Sequence, residues 1–173
     1  MSAASFVGYA SITGVGFLVA VLAADEFGLA SVTRGVLLAG FGVAGILLGR
    51  AAGDAVDRYG RVQVATVGVF VCAALVAALG VAPTPVALGA VWFATGLGST
   101  LVWAGINTLA VEAVPGNRAG GTSVISAFRF AGNAAAPLLW LPLYHADHRL
   151  GFLGAGLFAA LTAALLLPLR VPR

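Results

Sequence analysis

Long apolar runs, broken at short intervals by charged or turn-forming residues, set the pattern of this chain. The runs predict six helices, at about 4–24, 34–53, 62–81, 85–112, 121–143 and 150–169. Each suffices to cross a bilayer, which takes about 20 residues at a rise of about 1.5 Å. The breaks have local causes: Asp25 and Glu26, the run GDAVDRYGR from Gly53 to Arg61, Pro83 with Pro85, PGNRAGG from Pro115 to Gly121, and HADHR from His145 to Arg149. Polar residues inside the runs recur at helical spacing: Tyr9 and Thr13 in the first helix, Thr100, Trp103 and Asn107 in the fourth, Ser126, Arg129, Asn133 and Pro137 in the fifth. Those three faces are expected to line a cavity. The third and sixth helices hold little beyond Gln63, Thr66 and Thr162, so they are expected to face lipid. The order then reads as two three-helix repeats, about 1–83 and 84–173, in a single all-α bundle.

Composition narrows the class. Of 173 residues, 61% are hydrophobic and 9% charged, against roughly 25% charged in soluble domains, and six spans with their loops leave no room for a separate soluble domain. A multi-pass membrane protein is the reading, with the lipid bilayer as its first partner. The net charge of +3 comes from arginines spread along helix ends, with no basic face for nucleic acid. With both termini cytoplasmic, Arg50, Arg58, Arg61, Arg118, Arg170 and Arg173 lie inside and Arg34 and Arg149 outside, the orientation that positive charge favours at a cell membrane. Met1 to Ser5 carries no cation of a secretory leader.

Several enzyme classes fall away. The lone Cys72 allows neither a disulfide framework nor a paired-thiol metal site within one chain. His145 and His148 share one external loop, so an intramembrane serine protease lacks its buried histidine. Asp54 and Asp57 make one DxxD, but the second aspartate pair of a CDP-alcohol phosphotransferase is missing. No catalytic residue, metal or cofactor is assigned.

Three features carry candidate chemistry. Gly45, Gly49 and Gly53 fall four apart and clear one helix face of side chains, a groove for helix packing or a surface that slides in a conformational change. In GDAVDRYGR, Gly60 permits a tight turn and Asp57 offers a carboxylate to a helix N-terminus. Arg58 and Arg61 have Asp54, Glu112 or lipid phosphates as partners. Arg129 sits mid-helix, where an arginine costs about 2.5 to 3.5 kcal/mol to insert, and every acid of the chain lies near a helix end. Two readings stand: it snorkels or packs, or it contacts substrate or a gate. Asn107, Asn133 and Trp103 divide in the same way between bonds across helices and substrate contact.

The run Gly53 to Arg61 resembles the GxxxDRxGR(R/K) signature of the major facilitator superfamily. Gly53, Asp57, Arg58, Gly60 and Arg61 match, and Val62 departs from the final basic residue. Ala110 to Pro137 resembles the region of helices 10 and 11 in these transporters, so the chain looks like a C-terminal six-helix half. Trp92, four before Gly96, stands where the first half usually has an arginine, and the antiporter signature is echoed only by Gly132, Ala136 and Pro137. The resemblance implies half of an alternating-access carrier of a small-molecule substrate, of the drug or metabolite efflux kind. It also implies a partner, either an N-terminal six-helix half or a second copy of the chain, with the matched residues acting as a conformational gate. The competing expectation is a truncated or split six-span protein that transports nothing alone and serves as a partner subunit.

Overall fold

The computed structural model describes residues 1–113 and 116–169. Six helices make up the bundle: α1 (Ser2–Asp25), α2 (Ser31–Tyr59), α3 (Arg61–Leu79), α4 (Pro85–Ala113), α5 (Arg118–Ala146) and α6 (His148–Leu166), followed by a short 3₁₀ turn at Leu167–Leu169. All six are long and apolar enough to span a membrane, as expected.

The helix ends follow from capping. Pro85 opens α4, where its missing N–H costs nothing, and the Thr84 hydroxyl accepts the Ala87 N–H at 3.1 Å. Asn117 caps α5 by accepting from Gly120, and Asp147 caps α6 by accepting from Arg149.

Two breaks are shorter than the sequence suggests. Only Gly60 separates α2 from α3, with φ +92° and ψ 149°, a conformation that glycine alone adopts without strain. GDAVDRYGR is therefore helix on both sides of one residue, and Gly53 lies inside α2 rather than at its end. Asp and Arg do not break a helix that has already propagated; the positive φ at Gly60 does. Likewise only Asp147 separates α5 from α6, so HADHR is a corner and not a loop.

α1 packs along α5 and α6, α4 packs along α2 and α3, and α3 and α6 pack on each other. One apolar cluster joins Val19, Leu22, Leu88, Trp140 and Phe152 toward one end, and a second joins Ala4, Val69, Val102, Ile106 and Leu166 toward the other. At the second end Arg61 pairs with Glu112, and a cavity of about 470 Å³ has Met1, Asn117 and Gly120 in its wall. At the first end His148 Nδ1 lies 3.8 Å from Glu26 Oε1.

The glycines at which helices meet are not the ones that the groove suggested. A Cβ on Gly96 would strike the Phe41 carbonyl at 2.6 Å, one on Gly156 the Ala73 carbonyl at 2.7 Å, and Cβ atoms on Gly105 and Gly132 would strike the Arg61 and Phe6 carbonyls still more closely. These four let α4 meet α2 and α3, α5 meet α1, and α6 meet α3. A Cβ on Gly49 or Gly53 would meet nothing within 4 Å and one on Gly45 only the Thr100 hydroxyl of α4 at 3.6 Å, so among the described residues the groove on α2 is open along Gly49 and Gly53.

Coverage is uneven. Of their apolar stretches, 44% is buried in α3 and in α6, against 11% in α2 and 22% in α5. α3 and α6 turn outward only stripes such as Val67 and Phe70, or Leu153, Leu157 and Leu161. α2 bares Val32, Val36, Ile46 and Leu47, and α5 bares Phe130 and Leu138, the last at 81% exposure. The two least covered helices are thus α2 and α5, which the scarcity of polar residues in α3 and α6 did not foretell.

Candidate functional site

The first helix is not regular. Tyr9–Thr13 winds as a π turn, closed by Gly14 N–H donating to the Tyr9 carbonyl at 2.7 Å. The widened turn frees the Ala10 carbonyl, which accepts the indole N–H of Trp140 from α5 at 2.7 Å. That bond and the close seat of Gly132 on Phe6 fix α1 against α5. They aim Tyr9 toward α4, where its ring lies 4.3 Å from that of Trp103, centroid to centroid, tilted by 45°.

Arg129 of α5 completes the group. Its guanidinium carbon stands 5.3 Å from the Tyr9 ring centroid and 5.2 Å from that of Trp103, and one Nη donates to the Asn107 side-chain oxygen of α4. Three helices thus converge on one cation. The snorkelling reading gives way, because the head group is held sideways by α1 and α4, about 16 Å along α5 from its first residue. A charge-assisted bond of about 1.5 to 3 kcal/mol and two cation–π contacts of about 0.5 to 2 kcal/mol each offset the insertion cost. The charge itself is not cancelled: Arg129 Nε is shielded from solvent and has no acceptor, and no carboxylate pairs with Arg129 among the described residues.

The other candidates divide. Asn133, one turn beyond Arg129, is exposed and makes no hydrogen bond among the described residues. Ser126 is half-buried one turn before it. Thr13 Oγ1 is buried without a partner. Thr100 does not join the cluster: its hydroxyl donates to the Gly96 carbonyl at 2.9 Å and faces Gly45 of α2. Three residues turn a helix by about 300°, so Thr100 points about 60° away from Trp103, onto the side of α4 that meets Gly45 of α2.

The gate residues also part company. Arg61 is committed to Glu112, which ties the start of α3 to the end of α4. Arg58 lies over the ring of its neighbour Tyr59 at 5.3 Å. Asp57 is exposed and free of any ion pair or hydrogen bond among the described residues.

A sequence model of the Major Facilitator Superfamily matches residues 1–173. The chain belongs to this superfamily. It is a transporter-type, multi-pass membrane protein with a six-helix bundle such as forms one half of that fold. No curated protein matches it.

In this major facilitator chain, two tryptophans tie helices together without any motif to announce them. Trp92 stacks on Phe41 at 4.6 Å and donates its indole N–H to the Leu38 carbonyl at 3.3 Å, binding α4 to α2 as Trp140 binds α5 to α1. Nothing in the composition of Tyr9 to Gly14 sets the π turn apart from a regular span.

Proposed function

We propose that this chain is one half of a major facilitator carrier, moving a small solute by alternating access once a second six-helix bundle covers α2 and α5. The observation that carries this reading is the Tyr9, Trp103, Asn107 and Arg129 cluster, in which Asn107 is exposed and Arg129 comes from α5, one of the two least buried helices. A polar site inside an otherwise apolar bundle is costly unless it contacts water or a solute. The exchange of packing, α1 on α5 and α6, α4 on α2 and α3, supports two three-helix repeats. The termini are cytoplasmic, at the end where Arg50, Arg58 and Arg61 gather. There Asp57 faces the second bundle as the gate carboxylate, while Arg61 and Glu112 pair within their own bundle.

The covering bundle is either a preceding half or a second copy. The test is a dilution series of purified chain in liposomes, with uptake of labelled organic acids, amines and sugars. Uptake by vesicles holding at most one copy, scaling linearly with protein, overturns the need for a second bundle. Uptake that rises with the square of protein density supports a self-paired carrier, and none at any density supports a distinct partner half.

A further inference from the structure

We propose that the Arg129 cluster is a binding site for a small organic monoanion of the carboxylate class. This rests on the proposed reading that the cluster contacts the transported solute, and it goes further by naming the solute's class. Arg129 is a full cation inside the span, since guanidinium does not deprotonate in proteins. Its in-chain partners are an amide oxygen and two ring faces, all neutral. They orient the charge without cancelling it. The acids of the chain, Asp25, Glu26, Asp54, Asp57, Glu112 and Asp147, all stand near helix ends, and Glu112 is already paired with Arg61. One unopposed charge within a span calls for one negative charge, and a dianion would leave an excess.

The surroundings favour a carboxylate carried on an apolar body. Tyr9 and Trp103 put ring faces beside the guanidinium. Asn107 occupies one Nη through its oxygen, which leaves the remaining Nη hydrogens to the ligand. A cationic or sugar-like solute gains nothing from this charge. The bound ligand places its charge on Arg129 and its apolar part against the ring pair.

The test uses Asn133→Cys as a reporter, with the buried Cys72 as a silent background. Two methanethiosulfonate reagents of opposite charge, one bearing a sulfonate and one a trimethylammonium, are compared after normalising to their rates with a free thiol. The expected result is that the sulfonate reagent is favoured by about tenfold over the ammonium reagent. Arg129→Gln abolishes that preference and Arg129→Lys retains it, so a folding defect in the first variant is controlled by the second. Millimolar benzoate slows the modification with Arg129 or Lys present and not with Gln, whereas benzylamine has no effect.

Equal reagent preference in the Arg129 and Gln proteins overturns the proposal, as does modification unaffected by benzoate. An acid supplied by the covering bundle would produce that outcome. If the reporter thiol reacts with both reagents but without charge preference, the cavity reading stands and only the anion assignment falls. If it reacts with neither, both fall.

Discussion

Replacing Gly132 by Ala adds one methyl where α5 rests on α1. The new Cβ would sit 3.1 Å from both the Phe6 carbonyl carbon and the Ala10 nitrogen, and nearer still to the Phe6 oxygen. These are backbone atoms, so no side chain can turn aside. The helices have to separate by about 1 Å to restore ordinary contact. Overpacking of this kind costs about 1 to 3 kcal/mol, while Ala in place of Gly in a helix returns about 1 kcal/mol. For a chain of 173 residues, 1 kcal/mol corresponds to about 2 to 4 °C in Tm. A net loss of about 1 kcal/mol therefore predicts a fall of about 2 to 4 °C for Gly132→Ala in detergent. Gly49→Ala, with open space around it, gains the helix term alone and rises by a similar amount. Because Gly132 is adjacent to the π turn that aims Tyr9, the first change also weakens any Trp103 fluorescence response to ligand. The assay is thermal unfolding of the purified variants followed by intrinsic fluorescence. Equal shifts for the two alanines, or a larger loss at Gly49, would refute the assignment of which glycines pack within the chain.

Other outcomes follow from single contacts. Trp140→Phe keeps the ring against Phe158 but leaves the Ala10 carbonyl of the π turn unpaired, and is expected to cost about 1 to 3 kcal/mol and lower the melting temperature measurably. Asn107→Asp gives Arg129 a carboxylate partner; melting temperature should rise while the sulfonate-over-ammonium preference of the Asn133→Cys reporter disappears. A double-mutant cycle on Arg61 and Glu112, both nearly half exposed, should return a coupling below about 1 kcal/mol, and a value of several would mean the pair is far less solvated than it stands. Gly60→Ala forces a side chain into positive φ, so it should destabilise the α2–α3 corner by about 1 to 2 kcal/mol, read as a lower Tm than Gly53→Ala.

Much of this was legible beforehand because membrane spans declare themselves by length and hydropathy. The helical spacing put Tyr9, Trp103, Asn107 and Arg129 on the polar faces of their helices, and in the fold their side chains meet. What hid was set by contact rather than by composition. A glycine looks the same whether it meets a neighbouring backbone, as Gly132 does, or empty space, as Gly49 does. Charged residues near a helix end mimic a loop, so Asp54, Asp57 and Arg58 suggested a break where α2 simply continues. Thr100 shared a sequence register with Trp103 yet spends its hydroxyl on its own backbone.

The single-residue corners at Gly60 and Asp147 limit how the bundle can change shape. Only two Cα–Cα steps of about 3.8 Å each join Tyr59 to Arg61, and Ala146 to His148, so the facing ends of α2 and α3, and of α5 and α6, stay within about 7 Å of each other however the helices tilt. Each pair behaves as a stiff two-armed lever whose tilt carries both arms together. Larger changes of spacing fall to longer links such as 26–30 and 80–84, which adjoin the first and fourth helices, the ones that carry Tyr9, Trp103 and Asn107. Arg129 therefore travels with the α5–α6 lever, while Tyr9, Trp103 and Asn107 sit on helices hung from other joints of the same chain.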